Sequence, residues 1–132
     1  MNPKTELILQ WLSRAEDDLK VAEIAFNENE PIYWIAAFHA QQAAEKFLKA
    51  ILIHHDVEFE KTHDINYLLQ LCMDFYPDIE KLVKQAAKLT DFAVESRYPF
   101  PRTEPQKQET KEAIETAHSV AQFVLGKLPE KI

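Results

Sequence analysis

The sequence predicts an all-α protein, an up-and-down bundle of four to five antiparallel helices. Three observations carry this. Only one of the 132 residues is glycine, Gly126, whereas a sheet protein of this length uses glycine at turns and bulges. Apolar side chains recur at steps of three and four over long stretches, the period of a helix with one face on a core. Prolines at 31, 77, 99, 101 and 105 fall between those stretches, where they interrupt a helical hydrogen-bond ladder. Short links between long amphipathic helices favour antiparallel neighbours.

The first helix is expected from about Thr5 to Phe26, with Ile8, Leu12, Ala15, Leu19, Ala22 and Phe26 on its apolar face and Trp11 beside them. Glu16, Asp17, Lys20 and Glu23 take the wet side, and Thr5 is the candidate cap. Pro31 ends this segment. The second helix, from about Ile32 to His54, is apolar on most of its circumference: Ala36, Ala40, Ala43, Ala44, Phe47, Leu48, Ile51 and Leu52. At 100° per residue, His39, Gln42, Glu45, Lys46 and Lys49 form one polar stripe on it. A helix buried on several sides directs such a stripe at a partner, a cleft or a second subunit.

Residues 56–61 read as a polar link. Thr62-His63-Asp64 offers cap-type side chains to a third helix with Ile65, Leu68, Leu69 and Cys72 on one face. Pro77 separates it from a fourth, carrying Ile79, Leu82, Val83, Ala86, Leu89 and Ala93. The three prolines at 99, 101 and 105 enforce an extended path. The fifth helix, about Gln106 to Lys127, presents Ala113, Ala117, Val120, Ala121, Val124 and Leu128, with Gly126 placed to cap its end.

The length fits one domain over residues 1–132, with a core large enough to need no staples. Twenty-two acidic and 15 basic side chains give a net charge of −7. That argues against an extended nucleic-acid surface or an anionic membrane surface, both of which need positive charge. A single cysteine, Cys72, excludes an internal disulfide and a Cys-based zinc site, and its apolar neighbours predict a buried thiol. No leader segment is expected from the first residues, and no apolar run is long enough to cross a bilayer. The expected location is the cytoplasm.

Two of the chain's three arginines, Arg97 and Arg102, flank Tyr98 and Phe100 in the proline-stiffened segment. Arginine forks grip phosphate or carboxylate and aromatic rings stack on bases; equally, these side chains could plug one end of the bundle. His63 could carry a proton or simply start a helix. His54 and His55 are adjacent, so their rings project about 100° apart and suit a shared metal poorly. His39 and Lys46 share a face that fits a shallow polar groove or an exposed side. There is no glycine-rich phosphate loop, nucleophile elbow or His-Glu-x-x-His pair.

Phe38-His39-Ala40-Gln41-Gln42-Ala43-Ala44-Glu45-Lys46-Phe47-Leu48-Lys49, then Thr62-His63-Asp64-Ile65 with Leu68-Leu69, then Ser96-Arg97-Tyr98-Pro99 follow in order. With Trp11, Ala15, Asp18 and Leu19, they resemble the HEPN domain (higher eukaryotes and prokaryotes nucleotide-binding) from about Leu7 to Val124. The resemblance implies a bundle of four or five helices, a homodimer, and a groove for nucleotide or RNA. It also implies a minimal nucleotidyltransferase partner, in several cases as a toxin–antitoxin pair with the HEPN protein as toxin. RNA-cutting members carry arginine followed, after four to six intervening residues, by histidine. Here the positions after Arg97 are Arg102, Thr103 and Glu104, those after Arg14 are Leu19, Lys20 and Val21, and those after Arg102 are Lys107, Gln108 and Glu109. None is histidine, so ribonuclease activity does not carry over and no catalytic residue is assigned.

The expected function is a non-catalytic module that binds a nucleotide or phosphate-bearing ligand and acts with a nucleotidyltransferase. His39, Gln42, Lys46, Lys49, His63 and Arg97 are its candidate ligand-binding residues, with no metal and no cofactor. The alternative is a metal-independent ribonuclease or toxin on a different constellation, such as His63 with Arg97. A histidine base and an arginine beside a pentavalent phosphate would suffice chemically.

Overall fold

The computed structural model describes residues 2–87, 89 and 104–130. Among them are five α-helices and no strand. Helix α1 spans Pro3–Asn27 and α2 spans Tyr33–His54. Helix α3 is Ile65–Met73; a 3₁₀ turn at Pro77–Ile79 leads into α4, Glu80–Ala86, and α5 is Lys107–Lys127. The all-α bundle expected from the sequence is therefore the fold.

The helix ends follow from local chemistry, with two departures from expectation. Asn2, not Thr5, caps α1: its side chain accepts from the Thr5 N–H at 2.7 Å. Pro3 occupies the first helical turn, where its missing N–H costs nothing, so the cap must precede it. Thr5 is buried instead. Gly126 does not cap α5, because the helix runs through Lys127 and Leu128 ends it in an extended conformation that needs no glycine. Asp64 caps α3 as expected, accepting from the Tyr67 N–H at 3.3 Å. The fourth apolar face is buried at Ile79, Leu82, Ala86 and Leu89; Ala93 lies outside the described residues.

Helices α1 and α2 form an antiparallel hairpin, pinned at one end by the Ile32 N–H donating to the Ala25 carbonyl at 3.1 Å. At the other end Lys4 meets Asp56 at 3.1 Å. Asp56 has φ 58°, a left-handed turn that Asp tolerates better than most residues, and it reverses the chain after α2. Residues 56–64 then run back along α2. Lys49 Nζ donates to the Thr62 carbonyl at 3.2 Å, and Gln41 Nε2 donates to the His63 carbonyl at 3.3 Å. As a result α3 starts beside the middle of α2, and the segment that follows it returns to the end of α2, where Tyr76 meets His55.

Helix α2 is the central element, packing on α1, α3 and α5. Its first half buries Ala36, Ala37, Ala40, Ala43 and Ala44, and the facing helices contribute Ala15, Ala22 and Ala25 from α1 and Ala113, Ala117 and Ala121 from α5. Small side chains on both sides of a seam let helix axes approach closely. The second half buries Phe47, Leu48, Ile51 and Leu52, with Ile65, Leu68, Leu69 and Cys72 from α3 filling the wider space. Graded side-chain volume thus sets where α3 can join.

Candidate functional site

The polar stripe of α2 does not form one open groove. It divides into two groups, each built around a carboxylate. In the first, Asp18 projects from α1 into the seam with α2. Its Oδ1 is 2.8 Å from His39 Nδ1, and its Oδ2 pairs with Lys46 Nζ. His39 and Lys46 keep 28% and 21% of their side-chain surface exposed, so a solute reaches both.

In the second group, Glu45 is 2% exposed. Its Oε1 takes Lys49 Nζ at 3.1 Å and lies 2.9 Å from His63 Nδ1. Lys49 is buried too, with its ammonium 5.4 Å from the Trp11 ring centroid and 6.0 Å from that of Phe59. Aromatic faces attract a cation, and its remaining donor capacity goes to the Thr62 carbonyl. Gln42 links to this side through Gln41, its Nε2 donating to Gln41 Oε1 at 2.8 Å. Lys49 is thus committed to holding residues 56–64 against the hairpin, while His39, Gln42, Lys46 and the partly exposed His63 remain within reach of solvent. Arg97, the sixth candidate, and the segment with Tyr98, Phe100 and Arg102 lie outside the described residues.

The two organising acids were not among the residues singled out as binding. Asp18 carries a signal: it falls among Ile8, Leu12, Ala15, Ala22 and Ala25 on the buried face of α1, where a lone carboxylate demands partners across the seam. Glu45 was visible as part of the stripe; that it turns inward follows from the path of residues 56–64.

Around the first group, α1 and α2 present a common outer face. By helical phase it carries Leu7, Arg14 and Val21 from α1 and Ile35, Phe38, Gln42, Lys46 and Ile53 from α2. Leu7 and Val21 are exposed apolar side chains on it. Ile24, Ile32 and Trp34 add exposed apolar surface where the hairpin turns.

A separate group closes the other end of the hairpin. His55 stacks on Phe75 at 4.2 Å and is hydrogen-bonded to the Tyr76 hydroxyl through Nε2 at 2.6 Å. Burial, helped by His54 and Lys4, lowers the His55 pKa, and burial raises that of Tyr76. Lys127 reaches over Tyr76 and Phe123 to Asp78 at 2.9 Å, holding that carboxyl below its usual range. The Cys72 thiol is buried and pushed up to about 12, which makes it inert at neutral pH. Among the described residues no group of three or more His, Cys, Asp or Glu side chains converges to hold a metal, and no helix is long and apolar enough to cross a membrane.

Comparison with known proteins agrees with the all-α fold. The HEPN domain family matches residues 8–128. A Methanocaldococcus jannaschii protein bearing the name "Putative toxin MJ1304" is 26% identical over 135 residues, covering 92% of this chain and 88% of its own. Two crystal structures share the fold. ST0689, an archaeal HEPN homologue, superimposes with a TM-score of 0.72 at 27% identity, over 91% of this chain and 96% of its own. TT1696 from Thermus thermophilus gives 0.75 at 30% identity, over 92% and 98%.

Proposed function

This chain belongs to the HEPN domain family, and from that premise we propose that it is a non-catalytic binding module that takes a nucleotide or another phosphate-bearing ligand. The ligand would sit against the exposed part of the α2 stripe, with Lys46 and His39 as phosphate contacts, Gln42 and His63 at the margin and Arg97, outside the described residues, as a further proposed contact. The observation that carries the reading is the pair His39 and Lys46, both reachable from solvent and both oriented by the same buried Asp18. A cation held in place loses less entropy on binding than one on a free side chain. The reading extends to a homodimer, in which the exposed apolar side chains Ile24, Ile32 and Trp34 at the hairpin turn pair with a second copy and leave His39 and Lys46 open to ligand. A minimal nucleotidyltransferase is the proposed protein partner.

Calorimetry with ATP and GMP tests the site. Wild-type protein should bind one of them, and the K46A/R97A variant should lose at least tenfold in affinity. An unchanged affinity removes these residues from the site, and no binding by the wild type removes the reading. Sedimentation of the free chain tests the dimer.

The name of the M. jannaschii relative favours a second reading, a toxin, for which the resemblance to RNA-cutting HEPN members suggests cleavage of RNA without a metal. Arrest of growth on expression, together with cleavage of labelled tRNA in EDTA by pure protein, would establish it. Neither outcome is expected while the Arg–His motif is absent from the sequence.

A further inference from the structure

Asp18 commits both carboxylate oxygens inside the seam, Oδ1 to His39 Nδ1 at 2.8 Å and Oδ2 to Lys46. A carboxylate only accepts hydrogen bonds, so Nδ1 keeps its proton in both charge states of the imidazole. The proton that comes and goes is therefore the one on Nε2, at the opposite edge of the ring. With Nε2 bare, the charges of Asp18 and Lys46 cancel. With Nε2 protonated, the group carries one net positive charge and offers a hydrogen-bond donor directed away from Asp18.

The surroundings add little to this balance. On α1 the nearest other charged side chain on the same face is Arg14, one turn before Asp18. On α2, Glu45 and Lys49 are engaged with each other. Among the described residues, α3 and α5 pair no ionisable group with His39, and its ring makes no second hydrogen bond.

We propose that this group binds its phosphate-bearing ligand together with one proton, carried on His39 Nε2, with Asp18 as the residue that positions both cations. The proposal rests on the binding reading above and adds its regulation: ligand and proton bind together, so affinity falls as pH rises. If one proton accompanies each ligand, affinity falls by up to about tenfold per pH unit.

The test compares wild type with His39→Asn, whose side-chain amide can stand where Nδ1 stands and keep the bond to Asp18 but has no titrating atom. ATP is titrated calorimetrically between about pH 5.5 and 8.5, in buffers of different ionisation enthalpy. Protons taken up or lost by ATP itself are common to both proteins and cancel in the comparison. The wild type should take up as much as one more proton per ligand than H39N and show the steeper fall in affinity. Equal proton counts and equal slopes, with both proteins binding, would overturn the proposal. If H39N does not bind, the wild-type ring decides: ATP should raise the pH at which the NMR signal of His39 titrates, and an unmoved midpoint overturns the proposal. If the wild type binds GMP and not ATP, GMP replaces ATP in each arm; binding of neither at any pH overturns the binding reading on which the proposal rests.

Discussion

The two acid-centred groups on α2 use the same three residue types, one carboxylate, one lysine and one histidine, yet they do different work. Around Asp18 the partners come from one helix, about two turns apart, and remain partly in water. Around Glu45 the lysine is buried, and the histidine belongs to the segment that leads into α3. The first group joins two helices that already pack through alanine. The second helps to fix residues 56–64, which the Gln41 bond to the His63 carbonyl and the packing of Val57 and Phe59 on the core also hold. The lesson is that composition does not decide whether a charged cluster is a latch or a site; desolvation does. A desolvated charge is costly to leave unpaired, whereas a half-wet one can exchange its partner for a ligand.

Breaking the buried group should give the largest effect. Glu45→Ala leaves the Lys49 ammonium without its counter-charge and should destabilise the protein by about 3–5 kcal/mol, read from urea unfolding. Replacing both partners, as in E45L/K49M, should recover most of that loss, because two apolar side chains of similar size need no pairing in that setting. If E45A cost less than Asp18→Ala, the assignment of latch and site would be reversed. Asp18→Ala should cost about 2 kcal/mol, the scale of hydrogen bonds to a charged group. Water can reach Lys46 and His39 and partly replaces the lost carboxylate.

This contrast was only half legible in the sequence. The bundle was, because helical periodicity, proline punctuation and a lone glycine are local signals that tertiary packing had no cause to override. The stripe was also legible, since its spacing on α2 depends on nothing but helical geometry. What residues 56–64 do with it was not. A polar link reads the same whether it loops outward or runs back along its helix, and the bonds that decide it join Lys49 and Gln41 to backbone carbonyls, which leave no trace in composition. Spacing alone therefore places Lys49 with the open residues of the stripe, whereas the fold buries it. The caps show the same limit: Thr5 and Gly126 are the right residue types near the right places, but Asn2 and Leu128 hold the positions where the backbone turns.

The smallest expected effect sharpens the comparison from outside, at the far end of the hairpin. His55 follows the end of α2 much as His63 precedes α3, but its ring nitrogen meets the Tyr76 hydroxyl rather than a carboxylate. Burial, with His54 and Lys4 nearby, sets its pKa in the folded protein below the ordinary value of 6.5. Folding therefore favours the neutral ring. The stability this contributes is complete above about pH 6.5 and is lost as pH falls toward the lower value of the folded state, where the ring must accept a charge among like charges. Because the ring is partly solvated, the loss should be small. It should show as a lower melting temperature at about pH 5.5 than at pH 7.5, with the difference reduced in His55→Gln. An identical pH dependence in H55Q would mean that the loss belongs to other groups. In that case the absence of a carboxylate partner does not set this end of the hairpin apart from the two acid-centred groups.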